Sequence, residues 1–542
     1  MDSVSNSRRL GTATDAPTLF ARQATGLVRG WSIRDSFIFA CLATTISLAF
    51  YEFTFGVFVP KGQLITSVLI TGVWVSFLVI TYAGLIVTIP RAGGDYVWQS
   101  RLLGSPIGFV MSGTAYWFII WLWAPIYGAI LNVEVLQPLF ATAGWLGAAT
   151  WLSTHNGVFV VSLATIVLAA ALVYMGMAGY ARVQKWCFYG GIVGFAVMAI
   201  VLLVSSHHSF VAAFDRESSS LFHVSGAYAS IQATGAKLGG PWVFGLGPLG
   251  PSLLLVPMMI FYLMWPNWGS PLYGEIRGTN DFKRVFLGMF LGLWTTVLLS
   301  VIFLLLVDKT IGWSFFNNAN AAYWAGKSAL PVFPYPVLMA GWLVNNSAFQ
   351  IVLILLMSLW FFGFVGNLFL GSTRVMFAAA YDRILPDAVA EVSPKRHVPL
   401  VALVLMLLPS VGLSALYAYW GKFSTYTLDA VLVVAVSYLV TAIAALILPW
   451  RKPELWRASP ASRYKVLGVP LVPVAAVITI GLFVYNLYEW LSNSVYGVNS
   501  HDSLLFMALL YVLAIVIYSV ARIVRRRQGI DVGLINKEIP NS

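Results

Sequence analysis

The string "WPNWGS" at residues 265–270, followed by Pro271, sets prolines, an asparagine, a glycine and a serine at the end of an otherwise apolar run. In water it would be an ordinary turn. Inside hydrocarbon each unpartnered backbone group costs several kcal/mol, so the break either lies outside a bilayer or serves a purpose. The purpose open to it is non-covalent: helix N-terminal ends and free amides hold a carboxylate, and loose carbonyls hold a cation. A weaker counterpart is "CLATTISLAFYEF" at 41–53, with Thr44, Thr45 and Ser47 at the centre of a run from Asp35 to Pro60. These hydroxyls either rebind carbonyls freed by an interruption or bond back to an unbroken helix. Glu52 lies in the outer half of the same run, where insertion scales charge about 3 kcal/mol for an acid near the bilayer centre. It must face protein or water. Its roles would be counter-charge for a substrate amine, proton carrier, or vestibule acid paired with a loop.

Covalent and metal chemistry find little support. The six histidines (155, 207, 208, 223, 397 and 501) fall in loops or at helix ends, and no cluster of Cys, His and acids supplies metal ligands. "YWAGKS" at 323–328 ends like a phosphate loop, but Ala321 stands where the first glycine is required. No catalytic residue, metal, cofactor or nucleotide site is expected, and the chain does not read as an enzyme. Cys41 and Cys187 lie in apolar runs as small core residues.

The elements that position these residues are membrane helices. Hydrophobic residues make up 59% of the 542 and charged ones 10%, with a mean hydropathy of +0.83; a soluble chain carries about 25% charge. Apolar runs predict twelve spans, near 35–59, 63–89, 106–137, 157–177, 187–205, 251–274, 285–307, 347–372, 398–419, 427–449, 467–488 and 503–522. With the N-terminus inside, only Lys61, Arg216, Lys237, Lys309, Lys327 and Lys422 of the 32 basic residues fall outside, as the positive-inside rule requires. That bias explains the net charge of +12 without nucleic acid. No cleaved leader is expected, because the first 30 residues hold no short apolar segment with a cleavage site. The expected protein is a multi-pass protein of the cell membrane with both termini cytoplasmic, as a monomer or homodimer.

The spacing of the two interruptions organises the fold. The first helix starts inside and the sixth outside, so five helices and five more have opposite orientation, an arrangement that places a substrate site at the midplane between broken segments. The predicted units are a tail (1–34), a first repeat (35–205), an outer loop (206–250), a second repeat (251–449), two added helices (467–522) and a second tail (523–542). The loops at 206–250 and 308–346 are rich in Gly, Ser, Asn and aromatics, and the sequence does not decide whether they hold helices or lids.

Three further stretches carry a resemblance. "IPRAGGDYVWQSRLLG" (89–104), "YGEIRGTNDFKRVFLG" (273–288) and "GSTRVMFAAAYDRILPDAVAEVSPKRHVP" (371–399) resemble connections of the amino acid-polyamine-organocation permeases, and "RRRQGIDVGLINKEIP" resembles the tail of prokaryotic members. The resemblance spans about 25–540. It implies an all-α fold of the bacterial leucine transporter type, ten core helices plus two, and alternating-access transport of an amino acid or related amine. It maps the unwound segments onto Ala43 to Ala49 and Trp265 to Ser270, with Trp265 and Trp268 as candidates for an aromatic gate. The helix 1 glycines of the family are replaced here by Ala, Thr, Thr and Ser. Gly191 stands where some proton-coupled members carry a lysine, and the "WFFGFVGNLF" bend shows no hydroxyl pair for sodium, so proton or sodium coupling stays open.

The candidate substrate-binding residues are therefore Ala43, Thr44, Thr45, Ser47, Glu52, Tyr116, Trp265, Asn267, Trp268, Gly269 and Ser270. Tyr116 and its neighbour Trp117 either line the cavity or pack against core and lipid. Arg91, Asp95, Glu275, Arg277, Arg374 and Asp382 share the inner side, either as ion pairs that open with an inner gate or as solvated loop charges. Glu134, Asp429 and Glu489 read as acids of the vestibule or interface. "GGIVG" (190–194) reads as close helix packing. A channel or a sensor on the same fold, or a transporter of polyamines or other organocations, is the alternative to an amino acid permease.

Overall fold

The computed structural model describes residues 26–535. The expected tails at 1–34 and 523–542 therefore fall partly outside the described residues.

Among the described residues eleven helices are long and apolar enough to cross a membrane. A shorter apolar helix, Leu249–Leu263, stands where the sixth crossing is expected. The chain is thus a polytopic all-α membrane protein, with one two-stranded hairpin at 465–470 among the described residues. Side-chain caps set several helix starts: Ser32 accepts from the Asp35 amide in a capping box, and Asp281 and Asn346 cap the helices that follow them.

The first crossing, Ile33–Phe58, is divided into Ile33–Ala43, Ile46–Phe53 and a 3-10 turn, Thr54–Phe58. Its first half packs against Phe282–Leu306, and its second half packs against Val256–Leu263. The two interrupted segments therefore lie side by side at the centre of the bundle.

Several predicted boundaries need correction. The fifth helix begins at Gly176, well before 187, because Arg182 and Lys185 stay on its surface and Lys185 reaches Asp35 at 2.8 Å instead of ending the helix. The eighth runs from Ser347 to Tyr381, bending at Gly366 rather than stopping at 372. The third is longer too, Ser105–Thr142, and carries two π-turns, Thr114–Phe118 and Asn132–Leu136.

The two long loops fold into helices. His207–Phe222 and Ala227–Ala236 come from the first, Trp313–Trp324 and Pro336–Trp342 from the second. Tyr228 stacks on Phe315 at 4.3 Å between ring centroids, and Trp324 donates to the Thr54 hydroxyl at 3.1 Å, joining the second loop to the end of the first crossing. At 190–194 the expected close packing is found: Leu359, Trp360 and Leu356 press onto Gly190, Gly191 and Gly194.

Candidate functional site

The first crossing breaks at the hydroxyl pair. Thr44 (φ −86°, ψ 17°) ends the first half-helix and Thr45 (φ −33°, ψ 134°) starts the second. The Thr44 hydroxyl donates back to the Ala40 carbonyl at 3.1 Å and lies 2.8 Å from the Thr296 hydroxyl. No side chain caps Ile46–Phe53, and the buried hydroxyls of Thr45 and Ser47 have no hydrogen-bond partner in the protein. Ala43 is buried at the end of the first half-helix. An uncapped helix N-terminus carries free amides and a partial positive charge.

The sixth segment breaks as its sequence demands. Val256–Leu263 ends at Met264, since Pro266 has no N–H and its ring cannot continue a helix. Two tight turns follow, Trp268 N–H to Trp265 carbonyl at 2.9 Å and Ser270 N–H to Asn267 carbonyl at 2.8 Å, before a 3-10 turn at Ser270–Glu275. Asn267 is fully buried with both amide atoms unpartnered. A Cβ on Gly269 would sit 3.1 Å from the Phe39 ring, so the absent side chain sets how closely the two broken segments approach. The C-terminal, carbonyl-rich end of 256–263 and the N-terminal, amide-rich end of 46–53 both border the interruptions. The two ends carry opposite partial charges.

Aromatic rings close one side. Trp268 stacks on Tyr116 at 4.6 Å with an interplanar angle of 10°, and Trp265 lies against Trp123 at 5.0 Å and Trp268 at 5.4 Å. Trp268 donates to the Asn367 carbonyl at 2.9 Å, and Trp265 to the Phe261 carbonyl. Tyr116 occupies the first π-turn of the third helix, and Trp117 is buried beside it. Such turns rotate the side chains that follow and recur at functional sites.

Glu52 and Glu134 form a second focus. Both are buried, at 1% and 0% exposure. Glu52 Oε2 and both Glu134 oxygens lack a partner, and the two acids lie within electrostatic range of each other. The second π-turn holds Glu134. Tyr335 brings its buried hydroxyl near Ser47 and within reach of Glu134. Glu134 and Asp429, read in the sequence as acids of the vestibule or interface, are enclosed by protein at 0% exposure. Their helices turn them inward, where lipid would have cost more.

On the basic face the six expected residues separate. Arg374 and Glu275 form a fully buried bidentate pair at 2.8 and 3.1 Å. Asp382 is held by Arg101 (2.7 Å from Nη2 to Oδ1) and by the Tyr96 hydroxyl at 2.6 Å. Arg101 is the partner that sequence reading missed. Asp95 receives hydroxyls from four helices: Tyr116, Ser270 and Thr441 at 2.7 Å each, and Tyr82. Solvated loop charges are thus overturned for Asp95, Glu275, Arg374 and Asp382, because each is buried and satisfied by partners from other elements. Arg277 is exposed and donates to the Arg29 carbonyl at 3.0 Å, apart from these pairs. Arg91 is half-buried, and burial beside Arg29 lowers its pKa.

Gly94 lets this helix dock. It adopts φ +43°, and a Cβ there would meet Pro271 N and Ser270 C at 2.8 Å. Gly94→Ala should therefore cost about 1–3 kcal/mol in backbone strain alone. A lower thermal midpoint in detergent checks this; an unchanged midpoint would show that the 93–95 turn yields freely.

Comparison with known proteins agrees with the helical architecture. No curated protein matches the chain. A family model described as amino acid permease matches residues 36–521, covering both interruptions, the buried ion pairs and every long crossing except the first three residues of the first and the end of the last. With nearly the whole membrane region inside that match, the chain belongs to the amino acid permease family of the amino acid-polyamine-organocation superfamily.

Proposed function

We propose that this permease moves an amino acid across the cell membrane by alternating access, binding it between 43–49 and 265–270. The observation that carries this reading is the pairing of the two interruptions. An uncapped helix N-terminus for a carboxylate and a helix C-terminus for an ammonium border one buried region lined by Trp265, Trp268 and Tyr116. The reading includes twelve crossings in two inverted five-helix repeats plus two, with both termini cytoplasmic. In it the Glu275–Arg374 and Arg101–Asp382 pairs, with Asp95, hold the inner side shut. Purified protein in liposomes should show saturable uptake or exchange of a labelled amino acid against its gradient. Downhill flux alone would indicate a channel, and no flux with retained binding a sensor.

A second reading, transport of a cationic amine such as a basic amino acid or a polyamine, is favoured by Glu52 and Glu134. Two buried carboxylates without a cation are costly unless a proton or a cation compensates them. Glu52 lies five positions beyond Ser47, about 7.5 Å along a helix, which matches the reach of a lysine side chain from its carboxylate. In competition uptake, Glu134→Gln should weaken lysine or putrescine roughly 10-fold, the value of one charge-assisted hydrogen bond, while leucine is unaffected. Equal competition by all three in the wild type would assign the two acids to coupling or structure instead.

A further inference from the structure

The mechanism above leaves unused a cavity of about 490 Å³ on the basic face. It lies where the start of the third helix, the end of the tenth and the twelfth meet, lined by Arg101, Ser105, Arg451, Lys452 and Arg522 with no acid among its lining residues. Among the described residues no carboxylate pairs with Arg451, Lys452 or Arg522.

Two further features point to an anion. The helix beginning Ser105–Gly113 opens onto the cavity without a side-chain cap, after Gly104 at φ +118° and with Pro106 in its first turn, so its free amides and dipole are directed there. The Ser105 hydroxyl, 5% exposed and lining the cavity, has no hydrogen-bond partner. An oxyanion would accept from that hydroxyl and from the helix amides while three cations balance its charge. Tyr518 and Arg522 belong to the twelfth helix, most of whose surface is exposed and apolar. One wall of the cavity is therefore a lipid-facing helix.

The geometry points to a phosphoryl-binding site at Ser105, Arg451, Lys452 and Arg522, filled by the headgroup of an anionic phospholipid. Basic pockets between helices at this depth suit such headgroups. Arg101 contributes to both this cavity and the Asp382 pair, so the bound headgroup would adjoin the closed inner network.

Full-length protein in a neutral detergent, titrated with phosphatidylglycerol, phosphatidylcholine or inorganic phosphate and followed by native mass spectrometry and thermal unfolding, tests this. Phosphatidylglycerol should bind and stabilise more than phosphatidylcholine. The Arg451→Ala/Arg522→Ala double variant should weaken phosphatidylglycerol roughly 25-fold, at about 5-fold per cation removed. Lys283→Ala/Arg284→Ala, which removes two exposed cations elsewhere on that face, should leave binding unchanged. Stabilisation by millimolar inorganic phosphate that equals the lipid effect and vanishes in the first double variant would keep the site and make free phosphate its ligand. Equal binding of the two lipids, or wild-type affinity in Arg451→Ala/Arg522→Ala, would overturn the proposal.

Discussion

Arg374→Ala is expected to destabilise the permease by about 3–5 kcal/mol, because it leaves Glu275 at 1% exposure with no cation. Glu275→Ala should cost a similar amount by stranding Arg374, which is 0% exposed. The loss arises from the uncompensated charge more than from the attraction removed. The double variant Arg374→Met/Glu275→Leu should therefore be milder than either single change, since apolar groups of similar size need no counter-charge. Thermal midpoints of the three variants in one detergent decide this. Additive losses in the double variant would show that the two side chains act independently, despite their 2.8 Å contact.

The pair was visible in the sequence only as two charges on one side of the membrane. Arg374 and Glu275 are 99 positions apart, and nothing local distinguishes a loop charge from one that a neighbouring helix will cover. Arg101 shows the limit more sharply. In "WQSRLLG" it reads as another basic residue near a helix end, and its partner Asp382 is 281 positions away. The break in the sixth segment was legible for the opposite reason. Pro266, Gly269 and Pro271 violate a local rule of membrane helices, so their signal needs no partner. Glu134 was equally visible as a lone acid in an apolar run, yet its setting was not. The π-turn at 132–136 that carries it leaves no mark in hydropathy. The two long loops lacked a membrane-length apolar period, and their helices owe their place to packing, Tyr228 against Phe315 and Trp324 against the first crossing.

Trp265→Ala and Gly269→Leu should each reduce uptake at least roughly 10-fold, a loss that about 1.5 kcal/mol of binding already produces. The two variants act by different physics. Trp265→Ala removes a ring packed between Trp123 and Trp268 and frees the Phe261 carbonyl that its indole N–H satisfies. The sixth-segment helix end then loses both its cover and its last side-chain partner. Truncating a buried aromatic also costs about 3–5 kcal/mol of stability, so the thermal midpoint should fall with transport. Gly269→Leu instead adds bulk where even a Cβ would lie 3.1 Å from Phe39, forcing the broken first and sixth segments apart. In the proposed site the partial charges at 46 and 263 would then no longer face one solute at the same time. Transport should be lost in Gly269→Leu even where the protein remains monodisperse, with binding measured by thermal shift weakened in parallel. Wild-type transport in both variants would mean that the solute binds elsewhere, and that the paired interruptions serve only to bend the helices.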